Sequence, residues 1–284
     1  MLKKYYENVK NQKHPIKFVV SKILIRSGLS RFFTIQLKHC RLRFYPNSES
    51  SRALWIEPNF YEDETKIPTT EDFVYDYLQN GDTFVDVGAN IGLVTLNAAV
   101  KVGSSGTVYS IEPHPTIFLN LKGNIQLNNL SNVHAFNTAL GNKKGEVNFS
   151  DNRSDSLNAI LENNNGITVT ICKLDDLPIN ESSIALMKID VEGYEQFVLL
   201  GALKKLKMTK CVYFETLERL YKKYNYTHED VFNILLNEGF NLYRLHNRKI
   251  SPLKDKLAEN DLDVIAIRNL DDFLNRTKFQ LAGV

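Results

Sequence analysis

From Thr83 onward the apolar positions alternate between two rhythms. Compact blocks rich in Val, Ile, Phe and Tyr predict strands at Thr83–Val87, Thr107–Ile111, Val133–Phe136, Ile184–Ile189, Cys211–Phe214, Asn241–Leu245 and Asp263–Ile267. Between most of them, apolar residues recur three and four apart, which predicts helices at Leu93–Val100, Ile117–Leu127, Tyr194–Leu206 and Glu229–Leu236. Upstream, TTEDFVYDYLQNGD adds a helix: Thr69 and Asp72 have capping-box spacing, Phe73, Val74, Tyr77 and Leu78 share a face, and Asn80-Gly81 ends it. Strand and helix in alternation imply an α/β, doubly wound fold, with a largely parallel sheet covered on both faces. That domain runs from residue 69 to 284, and residues 1–68 form an N-terminal extension.

Pro46, Pro58 and Pro68 break any long helix in LRFYPNSESSRALWIEPNFYEDETKIP, which reads as a small strand-rich entry region. Gly145–Phe149 and Ile167–Ile171 are β-like and flank the Asn-rich LENNNG, a predicted loop. In the extension nearly every charge is positive. Lys3, Lys4, Lys10, Lys13, Lys17, Lys22, Arg26, Arg31, Lys38, Arg41 and Arg43 stand against Glu7 alone. Ile16–Ile25 is too short and too interrupted to span a bilayer and lacks the cleavage pattern of a secretory signal. Ile16, Val20, Ile23 and Leu24 fall on one helical face, so this segment either packs on the domain or lies on an anionic membrane surface.

Composition narrows the class. Hydrophobic residues make up 43% and charged residues 24%, ordinary globular usage, and the net charge of +2 gives no overall attraction to nucleic acid. Cys40, Cys172 and Cys211 show no C-x-x-C spacing, which argues against a disulfide framework or a cysteine zinc site and fits a reducing cytoplasm. With the basic extension, the expected location is cytoplasmic, extending to peripheral contact at the inner face of the membrane.

The chemistry gathers where strands end. In FVDVGANIG, Asp86 closes a predicted strand, Gly88 and Gly92 let the backbone turn tightly and approach a ligand, and Asn90 adds a donor and an acceptor. The G-x-x-x-G spacing departs from the dinucleotide fingerprint G-x-G-x-x-G, and no Walker A lysine follows. A plain strand-to-helix turn would carry the same glycines. Glu112 ends the next strand, where a carboxylate can accept from both hydroxyls of a ribose or cap the following helix. Past the third strand, Asn137 or the backbone around Ala139 can read an adenine edge.

Taken in order, TFVDVGANIGLVT, GTVYSIEPHP, NIQLNNLSNVHAFNTALGN, KLDDL and MKIDVEGYEQFVLLGA resemble the FkbM family of S-adenosylmethionine-dependent methyltransferases. The resemblance runs from Asp72 to the last predicted strand and leaves the extension uncovered. It implies a Rossmann-like, seven-stranded methyltransferase sheet with S-adenosylmethionine as cofactor. Asp86, Gly88, Asn90 and Gly92 would surround the methionine moiety and Glu112 would hold the ribose. It further implies methylation of oxygen, on a glycan or small-molecule hydroxyl.

Methyl transfer to oxygen needs alignment and a base. Asp190 and Glu192 close a buried-type strand at the edge that carries Asp86, Glu195 follows, and Glu215 ends the neighbouring strand. The catalytic expectation is Asp190 first, then Glu192 and Glu215. A divalent metal would suit the same oxygens, but no His joins them, and the reading taken is metal-free. Lys188 reads as an ion-pair partner for one of these acids. His114, His228 and His246 are weaker alternatives as bases. RLYKKYNYTHED is a candidate acceptor lid, against an exposed helix end bearing surface tyrosines. Two other functions compete, a nicotinamide-dependent oxidoreductase on a similar sheet and a non-catalytic binding protein of the same fold.

Overall fold

A computed structural model describes residues 14–46, 48–56, 69–152, 155–162, 165–246, 248–253 and 263–282. Lys3, Lys4, Glu7, Lys10, Lys13, Pro58, Pro68 and the middle of LENNNG lie outside them.

The extension opens with α1 (Pro15–Ser27), started by proline at its first turn and stopped by Gly28 in the left-handed conformation, φ 72°. Strands β1 (Thr34–Gln36) and β2 (Arg41–Arg43) form an antiparallel hairpin, followed by α2 (Glu49–Ile56). The expected strand-rich entry region is thus only partly extended, because Glu49–Ile56 is helical and inserts Leu54 between the hairpin and α1. Side-chain amides of the domain capture this hairpin. Asn128 pairs with the backbone of Arg41 in both directions, and Asn124 accepts from the Arg43 N–H while donating to the Ile91 carbonyl.

The domain starts with α3 (Thr70–Tyr77), whose Thr69–Asp72 capping box forms as the spacing predicts. Then come β3 (Thr83–Val87), α4 (Leu93–Val102), β4 (Thr107–Ile111), α5 (Pro115–Leu127) and β5 (Val133–Phe136). Strands β6 (Ala139–Leu140), β7 (Gly145–Phe149), β8 (Ile160–Leu161) and β9 (Ile167–Cys172) make a separate small sheet. The main sheet resumes with β10 (Ile184–Ile189), α6 (Glu195–Leu200), α7 (Leu203–Lys207), β11 (Thr209–Glu215), α8 (Glu218–Tyr221), α9 (His228–Asn237) and β12 (Asn241–His246). It ends with β13 (Lys249–Pro252), β14 (Asp263–Ile267), α10 (Leu270–Arg276) and β15 (Gln280–Leu281).

Among the described residues the main sheet has nine strands, ordered β15-β13-β12-β14-β11-β10-β3-β4-β5. The seven predicted strands are its contiguous core, and β13 and β15 extend one edge beyond the seven expected. From β5 to β11 all pairings are parallel, whereas β14 lies antiparallel between β11 and β12. Both faces are covered. Val85, Val87, Met187, Ile189, Val212 and Phe214 pack toward α6, α7 and α9, while Phe84, Leu186, Cys211 and Ile265 pack toward α3, α4 and α10. The helix expected over Tyr194–Leu206 is broken in two. A Cβ on Gly201 would stand 2.0 Å from the Gly141 carbonyl, so the chain there is pinned by backbone approach rather than continued as helix.

Candidate active site

The parallel strands β3, β4 and β10 bring three loops to one carboxyl edge, where ligands of open α/β sheets bind. A cleft opens there. It is lined by Gly88 and Asn90 from the first loop, Glu112 and Pro113 from the second, Asp190, Val191, Glu192 and Tyr194 from the third, and Thr138 to Leu140 past β5. The small sheet supplies Phe149, Asp155, Asn158 and Ile160 as a further wall.

Each predicted residue has a definite place. Asn90 turns at φ 51°, and its own Oδ1 accepts from the Ile91 N–H. Glu112 accepts from the Asn90 N–H through Oε2 and the His114 N–H through Oε1, both 2.9 Å, so it ties the first loop to the second. Burial pushes its carboxyl up to about 7 against those two hydrogen bonds. Asp86 and Gly92 stand behind the cleft wall. Asp86 is fully buried, accepts from the Thr95 hydroxyl at 2.7 Å and sits 3.4 Å from the Lys188 ammonium, while Gly92 packs on Leu121. Asn137 also lies off the lining and clamps the second loop by donating to the carbonyls of Glu112 and Pro113.

Lys188 is the ion-pair partner its sequence position predicts, and it serves two acids. Its Nζ lies 3.2 Å from Asp190 and also donates to the Gly88 carbonyl at 3.4 Å. Burial works against this charge, yet Asp190 and Asp86 outweigh it and hold the ammonium well above its ordinary range. Beyond Asp190 the chain turns through Glu192, a non-glycine residue at φ 53°, and Gly193 at φ 98°. Burial, with the Asp190 charge adding to it, pushes Glu192 up to about 7. Burial and then the charges of Asp190, Asp263 and Glu192 push Glu215 to about 7 as well. Glu215 therefore shares the field of the other acids, although it stands at the end of β11 outside the cleft lining. Among the described residues, no three His, Cys, Asp or Glu side chains are arranged to hold a metal ion.

Several residues escaped sequence reasoning. Asp155 and Asn158 reach the cleft from the small sheet, each with a buried polar atom, Oδ2 and Nδ2, that makes no hydrogen bond within the protein. Nothing in their local sequence marks them. The tyrosines of RLYKKYNYTHED are neither a free lid nor surface groups. Tyr221 and Tyr226 are buried, Tyr226 donates to the Gly193 carbonyl at 2.6 Å, and Tyr224 donates to the Ile160 carbonyl at 2.8 Å. They brace the third loop. The histidines are engaged too, His114 with Asp151 at 3.2 Å and His228 with Glu218 at 2.7 Å.

Glu195 is a buried carboxylate under this loop, accepting from the N–H groups of Val191 and Gly193 through one oxygen. Burial pushes it up to about 8 despite those bonds, from an ordinary 4.5. The folded state therefore holds this proton more tightly than the unfolded chain. Stability conferred by the protonated group is complete near pH 4.5 and declines as pH rises toward 8, with a slope of up to about 1.4 kcal/mol per pH unit. Urea unfolding of the ligand-free protein across this range should show the decline, and Glu195→Gln should reduce its slope by up to about 1.4 kcal/mol per pH unit, leaving the part due to Glu112, Glu192 and Glu215. An unchanged slope in the variant would assign the pH dependence elsewhere.

An α/β sheet with a cleft over the carboxyl ends of its first, second and fourth core strands has the Rossmann-like, doubly wound architecture. The methyltransferase FkbM domain model matches residues 86–242, more than half of the chain. The chain belongs to the FkbM methyltransferase family, and the methyl donor of this class is S-adenosylmethionine. A curated relative, Methyltransferase 1 of Beauveria bassiana (strain ARSEF 2860), is 28% identical over 147 residues, covering 42% of this chain and 58% of that protein. Among solved structures, a putative rRNA-methylase from Clostridium thermocellum aligns with TM-score 0.46 at 12% identity, over 70% of this chain and 92% of the other. M. jannaschii TYW2 in complex with AdoMet aligns with TM-score 0.42 at 17% identity, over 83% and 84%. The nicotinamide alternative gives way to the family match.

The residues present fit the cofactor. Gly88 keeps the first loop bare of a side chain where the backbone approaches the cleft, Glu112 offers a carboxylate suited to ribose hydroxyls, and unpaired Asp155 Oδ2 and Asn158 Nδ2 await polar partners.

Proposed function

We propose that this protein transfers the methyl group of S-adenosylmethionine to a hydroxyl of a glycan or a related metabolite. One observation carries the reading: the cleft at the carboxyl edge is lined by Glu192, a carboxylate that burial and the Asp190 charge push up to about 7. When bound, the cofactor supplies a methyl carbon already activated by its sulfonium. Gly88, Asn90 and Glu112 would hold it along the first two loops. The chain's remaining task is to align the acceptor oxygen and take its proton.

Glu192 suits that task better than Asp190, which the sequence ranked first. Asp190 is held 3.2 Å from Lys188, so its role is to position Lys188 and the turn. A carboxylate with a pKa near 7 combines an available base form with a useful driving force. Glu215, at the end of β11 outside the cleft lining, feels the Glu192 charge in turn. A hydroxyl-rich acceptor matches the carboxylates of Asp190 and Glu192 in the lining.

Glu192→Gln should lower turnover by roughly 10²- to 10⁴-fold, the usual worth of a general base, with cofactor affinity little changed. The limb of the pH–rate profile near 7 should vanish with it. Calorimetry for binding and labelled-cofactor turnover on cell glycans, followed by mass spectrometric location of the methyl, make the test. Full activity in the variant removes Glu192 as the base, and label found on nitrogen or on protein removes the hydroxyl assignment.

A further inference from the structure

Helix α1 does not bury the apolar face that its sequence predicts. Ile16, Val20 and Ile23 recur at i, i+4 and i+7 on one stripe, and they are 79%, 39% and 60% exposed. Of that predicted face only Leu24 turns inward, joining Leu42, Phe44 and Leu54 in the core of the extension. The exposed apolar surface continues beyond the helix through Leu29, Phe32 and Phe33. Lys17 and Arg26 flank the stripe, both exposed, and Lys22 lies against the Phe18 ring, 5.1 Å from its centre. From Pro15 to Pro46 the chain carries Lys17, Lys22, Arg26, Arg31, Lys38, Arg41 and Arg43 and not one acidic residue.

Exposed apolar side chains flanked by charge of one sign mark an interaction site for a partner that is apolar and oppositely charged. A nucleic acid would satisfy the cations and leave Ile16, Val20 and Ile23 in water. The surface of an anionic bilayer satisfies both, with side chains at the acyl boundary and lysines and arginines among lipid phosphates. At 13 residues, α1 is about 20 Å long at 1.5 Å per residue, and among the described residues no helix is long and apolar enough to cross a membrane. The geometry is that of a helix lying in the interface.

We propose that α1 and the Leu29–Phe33 segment dock this protein on an anionic lipid bilayer. The helix is firmly seated. Trp55 Nε1 donates to the Lys17 carbonyl at 3.4 Å, and the hairpin after α1 is fixed to α5 through Asn124 and Asn128. At the start of α2 the Glu49 N–H donates to Asp155 Oδ1 at 2.9 Å, and Asp155 lines the cleft. Docking therefore sets the orientation of the cleft relative to the bilayer, whatever the acceptor is.

The test is co-sedimentation of the full chain with vesicles of phosphatidylcholine, with and without phosphatidylglycerol. Wild type should pellet with the anionic vesicles and much less with the neutral ones. The double variant Val20→Asp, Ile23→Asp should weaken that binding by about tenfold or more through lost apolar insertion. Lys17→Glu with Arg26→Glu should abolish the preference for anionic lipid. These side chains are exposed, and unchanged thermal unfolding and cofactor affinity would show each variant intact. Three results overturn the proposal: wild type remaining in the supernatant, binding indifferent to the apolar substitutions, or a dimer in solution that those substitutions dissociate.

Discussion

Gly88→Ala is expected to abolish useful cofactor binding while most of the sheet still folds. Gly88 sits at φ 82°, where an L side chain is disfavoured by about 1–3 kcal/mol. Space is the larger obstacle. The added Cβ would lie 1.9 Å from the Asp190 carbonyl oxygen, a backbone atom that no rotamer change can move. The loop has no slack on its other side, because the N–H groups of Gly88 and Ala89 both donate to the Ile111 carbonyl. The first and third loops must therefore separate at the place where both line the cleft. Affinity for S-adenosylmethionine should fall by about 100-fold or more, equivalent to about 2.8 kcal/mol, as read by calorimetry. Thermal stability should fall with it. A folded variant that binds as wild type would mean that the cofactor does not use this crossing of loops.

The second large effect concerns stability. Lys188→Met should destabilise the protein by about 3–5 kcal/mol, because it removes one partner of a buried ion pair and strands the other. Asp86 is fully buried, and its Oδ1 finds no hydrogen-bond partner besides this ammonium contact at 3.4 Å. Asp190, partly exposed, can turn to water, so the penalty concentrates on Asp86. Adding Asp86→Asn to the Met variant should recover part of the loss. The double-mutant cycle by urea unfolding then isolates the coupling. A Met variant as stable as wild type would show that the row of charge across β3 and β10 contributes nothing.

Most strands were legible because they are buried apolar blocks bounded by turn formers; Val133–Phe136, at the edge of the sheet, is only partly buried. Thr83–Val87, Thr107–Ile111, Val133–Phe136, Ile184–Ile189 and Asp263–Ile267 occur as predicted. Helix pattern was less reliable where backbone meets backbone, as at Gly201, since periodicity says nothing about a neighbouring carbonyl. In α1 the stripe was open to two readings, a packing face or a membrane-facing one, and the structure turns most of it to solvent. Amphipathicity specifies two faces but not what covers the apolar one.

The candidate site divides in the same way. Strand ends could be read, so Gly88, Asn90, Glu112, Asp190 and Glu192 were found, and all five line the cleft. Asp86 and Asn137 occupy the same edge but turn away from the cleft, to Lys188 and to the second loop's carbonyls. Side-chain direction depends on which partner lies across the sheet, and residue order does not give that register. Asp155 and Asn158 were invisible because they come from a separate sheet folded back over the cleft.

By itself the sequence determined the alternating α/β order, the glycine loop, the acidic strand ends and the methyltransferase family. The first three follow from local pattern and short-range spacing, which each segment carries within itself, and the family rests on the resemblance of the ordered motifs. Only the tertiary structure decided which carboxylates line the cleft, that Lys188 bridges Asp86 and Asp190, and that burial raises Glu112, Glu192 and Glu215. Burial and charge pairing are set by residues far apart in the chain, and in a low-dielectric interior those two terms govern where protons reside.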